Sequence, residues 1–381
     1  MGLNVCIISH LSGTGGAERA IPKLAEKLQS NGVKVHMLIP YEGPIEKDLK
    51  EKKISYKIIP FRLWVSQNQT FWGRVRRTIR NIIAIIPVSI YILKCKSNLV
   101  YTNTSTVCTA AFSAKLLFKP HVWHFREFGF EDHGFVYDWG ENFSLWLINK
   151  LSSYCIANSK AVAEKYKKYI PESKIEVIYE GYDEEFTNDT GKSASYVKNT
   201  SKPKCALIGS LYKTKRQVDA LLAIHNLKQK GLEVELYLAG DGKTDYKNYL
   251  SDLVKKYDLA ENVIFLGYIN NPQELMRQCD IILMCSVNEA FGIVTIEAMQ
   301  AGKPVIGTNS GGTRELIRDG YNGLLYKPMD HNDLSSKIQY LIENQDISKK
   351  FGRNGKELAS TKFTIEKYST EVLNTLSKIR K

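Results

Sequence analysis

Two carboxylates, Glu289 and Glu297, stand eight residues apart in the run Cys285-Ser-Val-Asn-Glu-Ala-Phe-Gly-Ile-Val-Thr-Ile-Glu-Ala-Met. Ionised carboxylates are strong acceptors for ribose and sugar hydroxyls. The apolar run Ile281–Met284 reads as a buried strand, so Glu289 falls in the loop at its carboxyl end. Gly292 permits close backbone approach, and the spacing starts a helix near Ile293, with Glu297 just over one turn inside it. A helix start presents unpaired N–H groups and a positive dipole end, which suit phosphate and hydroxyl oxygens. Two isolated glutamates at this spacing would usually be solvated loop and helix charges; here their surroundings favour a binding role.

Other residues could contribute. Gly13, Gly15 and Gly16 lie between an apolar strand and a helix, a placement that serves a phosphate loop or a plain tight turn equally. His124, Arg126, Glu127, Asp132 and His133 cluster after another apolar strand, as an active-site group or as a polar surface loop. A metal site at His124, Asp132 and His133 is disfavoured, and no Asp-x-Asp occurs to support metal-dependent transfer.

The elements that would position these groups alternate. Residues 3–9 read as a buried strand, Ile21, Leu24, Ala25 and Leu28 follow at helical spacing, and Val33, Val35, Met37 and Ile39 alternate as the next strand. This is a βαβ unit opening a parallel sheet. Further strands are predicted at 99–102, 122–125, 154–157 and 176–179. The polar run at 187–203 has linker composition and places a domain boundary there. A second series follows at 205–208, 233–238, 263–265, 281–284 and 304–306. The expectation is an α/β chain of two Rossmann-like, doubly wound parallel-sheet domains: an acceptor-side domain at 1–190, a donor domain at 203–362, and a terminal helix at 363–381 packing back on the first. Ligands in such folds lie beyond the carboxyl ends of the strands, so the cleft between the domains is the default site.

Composition narrows the class. The 381 residues are 43% hydrophobic and 24% charged, as in globular proteins. Seven scattered cysteines without a CxxC read as reduced structural thiols of a cytoplasmic protein, not a disulfide framework or zinc site. The N-terminus lacks a signal-peptide pattern. The apolar stretch at 82–93 is broken by Pro87 and Ser89 and falls short of the roughly 20 residues a span requires. The net charge of +13 suits polyanionic partners. Arg74, Arg76, Arg77, Arg80, Lys94 and Lys96 bracket that stretch, which reads either as a basic amphipathic membrane surface or as a helix whose apolar face is core. No nucleic-acid-binding module is recognised, and a nicotinamide site loses support because no acidic residue ends the second strand, Ile39-Pro40.

The stretch Glu289-Ala-Phe-Gly-Ile-Val-Thr-Ile-Glu-Ala-Met, with Gly302-Lys-Pro-Val-Ile, Gly311-Gly312, Glu315-Leu-Ile and Asn322-Gly-Leu-Leu, closely resembles the fingerprint of the retaining glycosyltransferases of family 4, which have the GT-B fold. Gly15-Gly16-Ala-Glu-Arg, Ala157-Asn-Ser159, Ile178-Tyr-Glu-Gly181, Ala239-Gly-Asp-Gly242 and Phe265-Leu-Gly267 extend the similarity, weakly in the first half and strongly in the second.

The resemblance implies roles. Glu297 would hold the nucleotide ribose. Glu289 and the amides of Phe291, Gly292 and Ile293 would hold the donor sugar. Gly15 and Gly16 would approach the donor diphosphate, His124 would stand near the donor sugar, and backbone at Gly267 and Tyr268 would meet the base. Arg126 and Glu127 would orient His124 or contact acceptor. Where the family has Gly-Arg-Leu and then Lys, this chain reads Gly209-Ser210-Leu211-Tyr-Lys-Thr-Lys215-Arg216. Lys215 matches the family lysine, and the charge missing at Ser210 would come from Lys213 or Arg216.

The expected activity is metal-independent, retaining sugar transfer from a nucleotide-sugar, a UDP-sugar by default, to a lipid-linked glycan precursor of a cell-surface polysaccharide. No cofactor is expected. The expected location is the cytoplasm, on the inner face of the membrane through the basic N-domain surface. The alternatives are a soluble transferase acting on a protein or small molecule, and a catalytically silent nucleotide-binding partner subunit.

Overall fold

The computed structural model describes residues 2–13, 15–182 and 195–379. Thr14 of the glycine turn and the 187–194 part of the polar linker lie outside the described residues. The chain forms two compact units, one of residues 1–181 with 365–381, the other of 182–364.

The first unit holds strands β1 (Asn4–Ile8), β2 (Lys34–Ile39), β3 (Ser55–Ile58), β4 (Val65–Ser66), β5 (Leu99–Asn103), β6 (His121–Phe125), β7 (Val136–Tyr137), β8 (Tyr154–Ala157) and β9 (Ile175–Val177). Seven form a parallel sheet in the order β3-β2-β1-β5-β6-β8-β9, while β4 and β7 make a small antiparallel pair. The strand order reverses between β1 and β5. The central strands β1, β5 and β6 are buried along their whole length, which is why they lack the polar–apolar alternation of a half-exposed strand.

The terminal helix Ile365–Ile379 joins this unit. Its Ile365, Tyr368, Val372 and Leu376, spaced three or four apart, lie in the same core as Val5, Ile7, Leu24 and Tyr101. Burying each such side chain stabilises the unit by about 1.5–3 kcal/mol.

The second unit holds β10 (Lys204–Ile208), β11 (Glu235–Ala239), β12 (Val263–Gly267), β13 (Ile281–Met284), β14 (Val305–Thr308) and β15 (Gly323–Tyr326). All are parallel, in the order β12-β11-β10-β13-β14-β15, with the reversal between β10 and β13. Both units are therefore doubly wound Rossmann-like domains.

Three features differ from the sequence reading. The edge strands β3 and β15 were not anticipated: β3 is only partly buried, and β15 is four residues long. The units divide between Gly181 and Tyr182, ahead of the polar run, and the chain leaves the second unit after Thr364. There the two crossing segments lie side by side, with the Tyr182 amide donating to the Phe363 carbonyl at 2.7 Å. Finally, the segment at 72–96 is one helix, Phe71–Lys94, that has both a core face and an exposed apolar face.

All seven cysteines are unpaired and all but Cys95 are buried. Among the described residues no helix is long and apolar enough to cross a membrane, and no three His, Cys, Asp or Glu side chains group as metal ligands would.

Candidate functional site

In the second unit the polar residues gather at the switch point. Glu289 sits in the loop after β13, and Lys215 in the 3-10 turn Lys213–Lys215 that follows β10. Lys215 Nζ donates to Glu289 Oε2 at 2.7 Å, tying the two loops together across the strand reversal. The Glu289 carboxylate is largely shielded and Lys215 is one-third exposed.

The Glu289 loop is held in place from below. Gly312 N donates to the Glu289 carbonyl at 2.7 Å, and the hydroxyls of Thr308 and Ser310 donate to the carbonyls of Ser286 and Val287. Gly311 and Gly312 are required by this contact. A Cβ at Gly312 would stand 2.5 Å from the Ala290 carbonyl oxygen, and one at Gly311 2.6 Å from that of Glu289. Gly292 then turns the chain at φ +96 into the helix Ile293–Gln300, a conformation that costs glycine little. Glu297 lies half-buried in that helix, and Phe291 is buried at its entrance.

The glycines after β11 do similar work. A Cβ at Gly240 would lie 2.0 Å from the Gly209 carbonyl oxygen, and one at Gly242 2.1 Å from that of Leu211. Leu211 N donates to Asp241 O, and Gly240 N to Gly267 O. The loop carrying Gly209 and Ser210 therefore rests directly on the Gly240–Gly242 loop, and that loop reaches the end of β12, where Tyr268 is exposed. At the position of the missing family arginine, Ser210 is exposed and its carbonyl accepts from Gln217. Arg216 is engaged by the buried Asp219 through Nε at 3.1 Å, whereas Lys213 is exposed.

The first unit carries a second polar cluster at the carboxyl ends of β1, β5 and β6. His124 lies on β6 and is fully buried, so it is not part of a surface loop. Its Nδ1 contacts the Tyr101 hydroxyl, while Nε2 has no hydrogen-bond partner. Burial, then the Arg126 charge, pushes the His124 pKa far down, so the imidazole is neutral.

Arg126 is also buried, and three residues surround its guanidinium. Nε donates to Asn103 Oδ1 at 2.6 Å, Nη1 lies 2.8 Å from Glu180 Oε2, and Nη2 donates to the Tyr368 hydroxyl at 2.7 Å. Asn158 Nδ2 reaches Glu180 Oε1 at 3.1 Å and the Arg126 carbonyl at 3.2 Å. The sequence landmarks at 157–159 and 178–181 are thus the clamp on Arg126. Glu127 accepts from the Ser105 amide at 2.6 Å and hydroxyl at 2.7 Å, and burial lifts its pKa to about 7. Asp132 caps the amides of Phe128 and Gly129, while His133 is half-exposed.

Gly15 precedes the helix Gly16–Ser30. The Glu18 carboxylate folds back so closely that a Cβ at Gly15 would stand 2.5 Å from it. His10 Nε2 lies 3.4 Å from Glu18, and burial drives the His10 pKa down to about 3 while raising that of Glu18. The contact is therefore between a neutral imidazole and a shielded carboxyl group.

Sequence reasoning missed His10, Glu18, Tyr101, Asn103 and Tyr368. Glu18 and Glu180 stood inside quoted motifs that could have pointed to them. Nothing local marks Tyr368, which joins Arg126 across 242 residues.

Two family models match: Glycosyltransferase Family 4 over residues 14–186, and Glycosyl transferases group 1 over residues 189–358. Among curated relatives, the chain is 41% identical over 140 residues to an uncharacterized glycosyltransferase of Methanocaldococcus jannaschii, covering 36% of this chain and 39% of that protein. It is 30% identical over 209 residues to the N-acetyl-alpha-D-glucosaminyl L-malate synthase of Bacillus anthracis, covering 54% of each. The matched regions thus span from about two-fifths to about half of these relatives. Among solved structures, Anabaena Alr3699/HepE in complex with UDP-glucose superposes with a TM-score of 0.82 at 23% identity, over 99% of this chain and 100% of that one; at that identity the likeness bears on fold. The glycine loops, the Glu289–Glu297 segment and the two matched models, which follow one another from residue 14 to residue 358, agree, and the chain belongs to the family 4, group 1 glycosyltransferases of GT-B fold.

Proposed function

We propose that this protein transfers a sugar, with retention of configuration and without a metal ion, from a nucleotide-sugar to a lipid-linked glycan precursor of a cell-surface polysaccharide. A UDP-sugar is the favoured donor. The observation that carries the reading is the Lys215–Glu289 pair at the switch point of the second unit, beside the helix start at Ile293 and Glu297. UDP and UDP-glucose bound to Anabaena Alr3699/HepE support the choice of base.

In this reading Glu297 accepts hydrogen bonds from the ribose hydroxyls, and Glu289 from the sugar. Sugar transfer develops positive charge on the sugar and negative charge on the departing diphosphate. Lys215, the amides of Phe291, Gly292 and Ile293, and the helix dipole stabilise the latter. Lys213 supplies the second cation that Ser210 does not, since Arg216 is already engaged by Asp219. Gly209, Gly267 and Tyr268 line the nucleotide, and Gly15 and Gly16 approach the diphosphate. His124, neutral and with Nε2 unpaired, offers a hydrogen bond to the sugar. Arg126 and Glu127 act through position, since Nε and Nη2 of Arg126 and the Glu127 carboxylate are hydrogen-bonded within the fold. The leaving phosphate is the base for the acceptor hydroxyl.

The test is a thermal-shift panel with UDP, GDP, ADP and CMP in the presence of chelator, repeated on Glu297→Ala. A ligand that binds only the folded state raises the melting temperature. The expected result is a selective rise with UDP that the variant loses. No rise with any nucleotide at millimolar concentration overturns the donor-site assignment.

A further inference from the structure

The helix Phe71–Lys94 buries Asn81, Ala84, Val88, Ser89 and Ile92. Its opposite face carries Ile79, Ile83, Ile86, Ile90 and Leu93, spaced four and three residues apart, each about half to two-thirds exposed. Trp72, 76% exposed, stacks edge-on with Phe71 at the start of the helix. Such a stripe normally faces a core. A contiguous exposed patch of this kind marks a binding surface.

Charge says what covers it. Between Lys52 and Arg126 the chain has thirteen Lys and Arg and no Asp or Glu. The entire net charge of +13 resides there, because the other 40 basic residues are matched by 40 acidic ones. Lys52, Arg77 and Arg126 pair with Glu26, Asp138 and Glu180. Arg74, Arg76 and Arg80 at one end of the helix, and Lys94 and Lys96 at the other, are exposed around the apolar stripe. An apolar stripe with a tryptophan at its end and cations at both ends is complementary to an anionic bilayer surface, where acyl chains take the stripe and headgroups take the cations. A second copy fits less well. A two-fold contact sets the same surface against itself, so basic ends would meet basic ends in either orientation, and the helix offers no acidic residue to pair with them.

We infer that the exposed face of the helix Phe71–Lys94 docks the first unit on an anionic membrane, with the helix lying in the interface. Its 24 residues make it about 36 Å long. The inference deepens the transferase reading and rests on it for the purpose of docking, which is to meet a lipid-held acceptor.

The experiment is co-sedimentation of the full chain with phosphatidylglycerol vesicles and with phosphatidylcholine vesicles, for the wild type, Ile83→Glu/Ile86→Glu and Arg76→Gln/Arg80→Gln. Each basic residue near an anionic surface contributes about 1 kcal/mol, roughly fivefold in partitioning. The wild type is expected to sediment with phosphatidylglycerol and not with phosphatidylcholine alone. The double glutamate variant should lose at least about tenfold in partitioning, since it removes apolar contact and adds two like charges to the lipid surface. The double glutamine variant should lose roughly twenty-five-fold, fivefold for each of its two charges, and show a weaker dependence on salt. Circular dichroism and the UDP thermal shift of both variants should match the wild type. Loss of vesicle binding with the UDP response intact supports docking through this face. Undiminished binding by the folded double glutamate variant overturns the inference, as does equal binding to both vesicles. A dimer that this variant converts to monomer assigns the face to a second copy instead. If no form responds to UDP while vesicle binding behaves as expected, the donor assignment fails and the docking face stands.

Discussion

The hydroxyl of Tyr368 accepts a hydrogen bond from Arg126 Nη2 at 2.7 Å, so a residue of the terminal helix forms part of the buried cluster around His124. The Tyr368 and His124 rings lie 6.3 Å apart, and the Tyr101 ring meets His124 edge-on at 5.9 Å. The terminal helix is thereby part of the scaffold of the first unit's polar cluster. Tyr368→Phe should keep the fold, cost about 1 kcal/mol of stability, and lower kcat while leaving KM for the donor nearly unchanged. Equal kcat in the variant would separate this helix from the chemistry.

The Arg126–Glu180 pair is buried on both sides. Breaking such a pair from one side leaves an uncompensated charge and costs about 3–5 kcal/mol. Glu180→Ala is expected to lower the urea midpoint by that equivalent. Arg126→Met with Glu180→Leu should recover much of the stability but not the activity. Urea denaturation of the single and double variants measures both.

Lys215→Met leaves Glu289 without its lysine partner and removes a cation from the proposed diphosphate site. Transfer should fall by roughly a hundredfold, the scale of losing one preorganised stabilising group, and UDP affinity should fall with it. Glu289→Ala should lose transfer while retaining UDP binding. Isothermal titration with UDP alongside a donor-turnover assay distinguishes the two.

Gly312→Ala tests how the Glu289 loop is held. Gly312 has φ −70, which alanine adopts without strain, so the effect comes from the approach of the added Cβ to the backbone opposite, 2.5 Å from the Ala290 carbonyl oxygen and 2.9 Å from Phe291 Cα. The loop must move to relieve it. UDP-sugar turnover should drop at least tenfold, with a loss of about 1–3 kcal/mol in stability, as for other overpacked sites; thermal denaturation and turnover together read this.

Glu127 has a pKa raised by burial to about 7, above its ordinary carboxylate value. The folded state therefore holds a proton that the unfolded state has released. The stabilisation is complete below the unfolded pKa and is lost as pH rises through about 7. Shielded His10 and buried His121, with pKa values pushed down to about 3, act in the opposite sense: stability falls as pH drops below about 6.5, where the unfolded imidazoles take protons. Removing Glu127 as Glu127→Gln should weaken the opposition to the histidine trend, so stability should climb more steeply between pH 5 and 7 than in the wild type. Thermal melts across that range check the slope.

The placement of Glu289 and Glu297 was legible because its determinants are local. Ile281–Met284 is apolar enough to be a central parallel strand, and Gly292 and the residues after it specify a turn and a helix start. Glu289 and Glu297 then fall at that start without reference to the rest of the chain. Gly311 and Gly312 were visible as a motif, but their reason, close packing against the backbone of residues 289–291, is a contact across two strand ends. The cluster around His124 was only partly legible. His124 was marked by its place at the end of a strand, whereas its burial and its Tyr101 partner depend on pairing between β5 and β6.

The sequence by itself determined two series of buried parallel strands, the glycine turns that follow them and the order of the loops carrying Lys215, Glu289 and Gly311, since each depends on residues within one or two turns of chain. The tertiary structure alone decided which groups are desolvated together: Lys215 with Glu289, Arg126 with Glu180 and Tyr368, and His10 with Glu18. It also decided which apolar stripe of the helix Phe71–Lys94 is core and which is surface. Both of its faces carry apolar residues at helical spacing, so periodicity is the same for either, and only packing on one side, against Cys6, Ile8 and Val100 of the sheet and the helix Thr109–Leu116, breaks the tie.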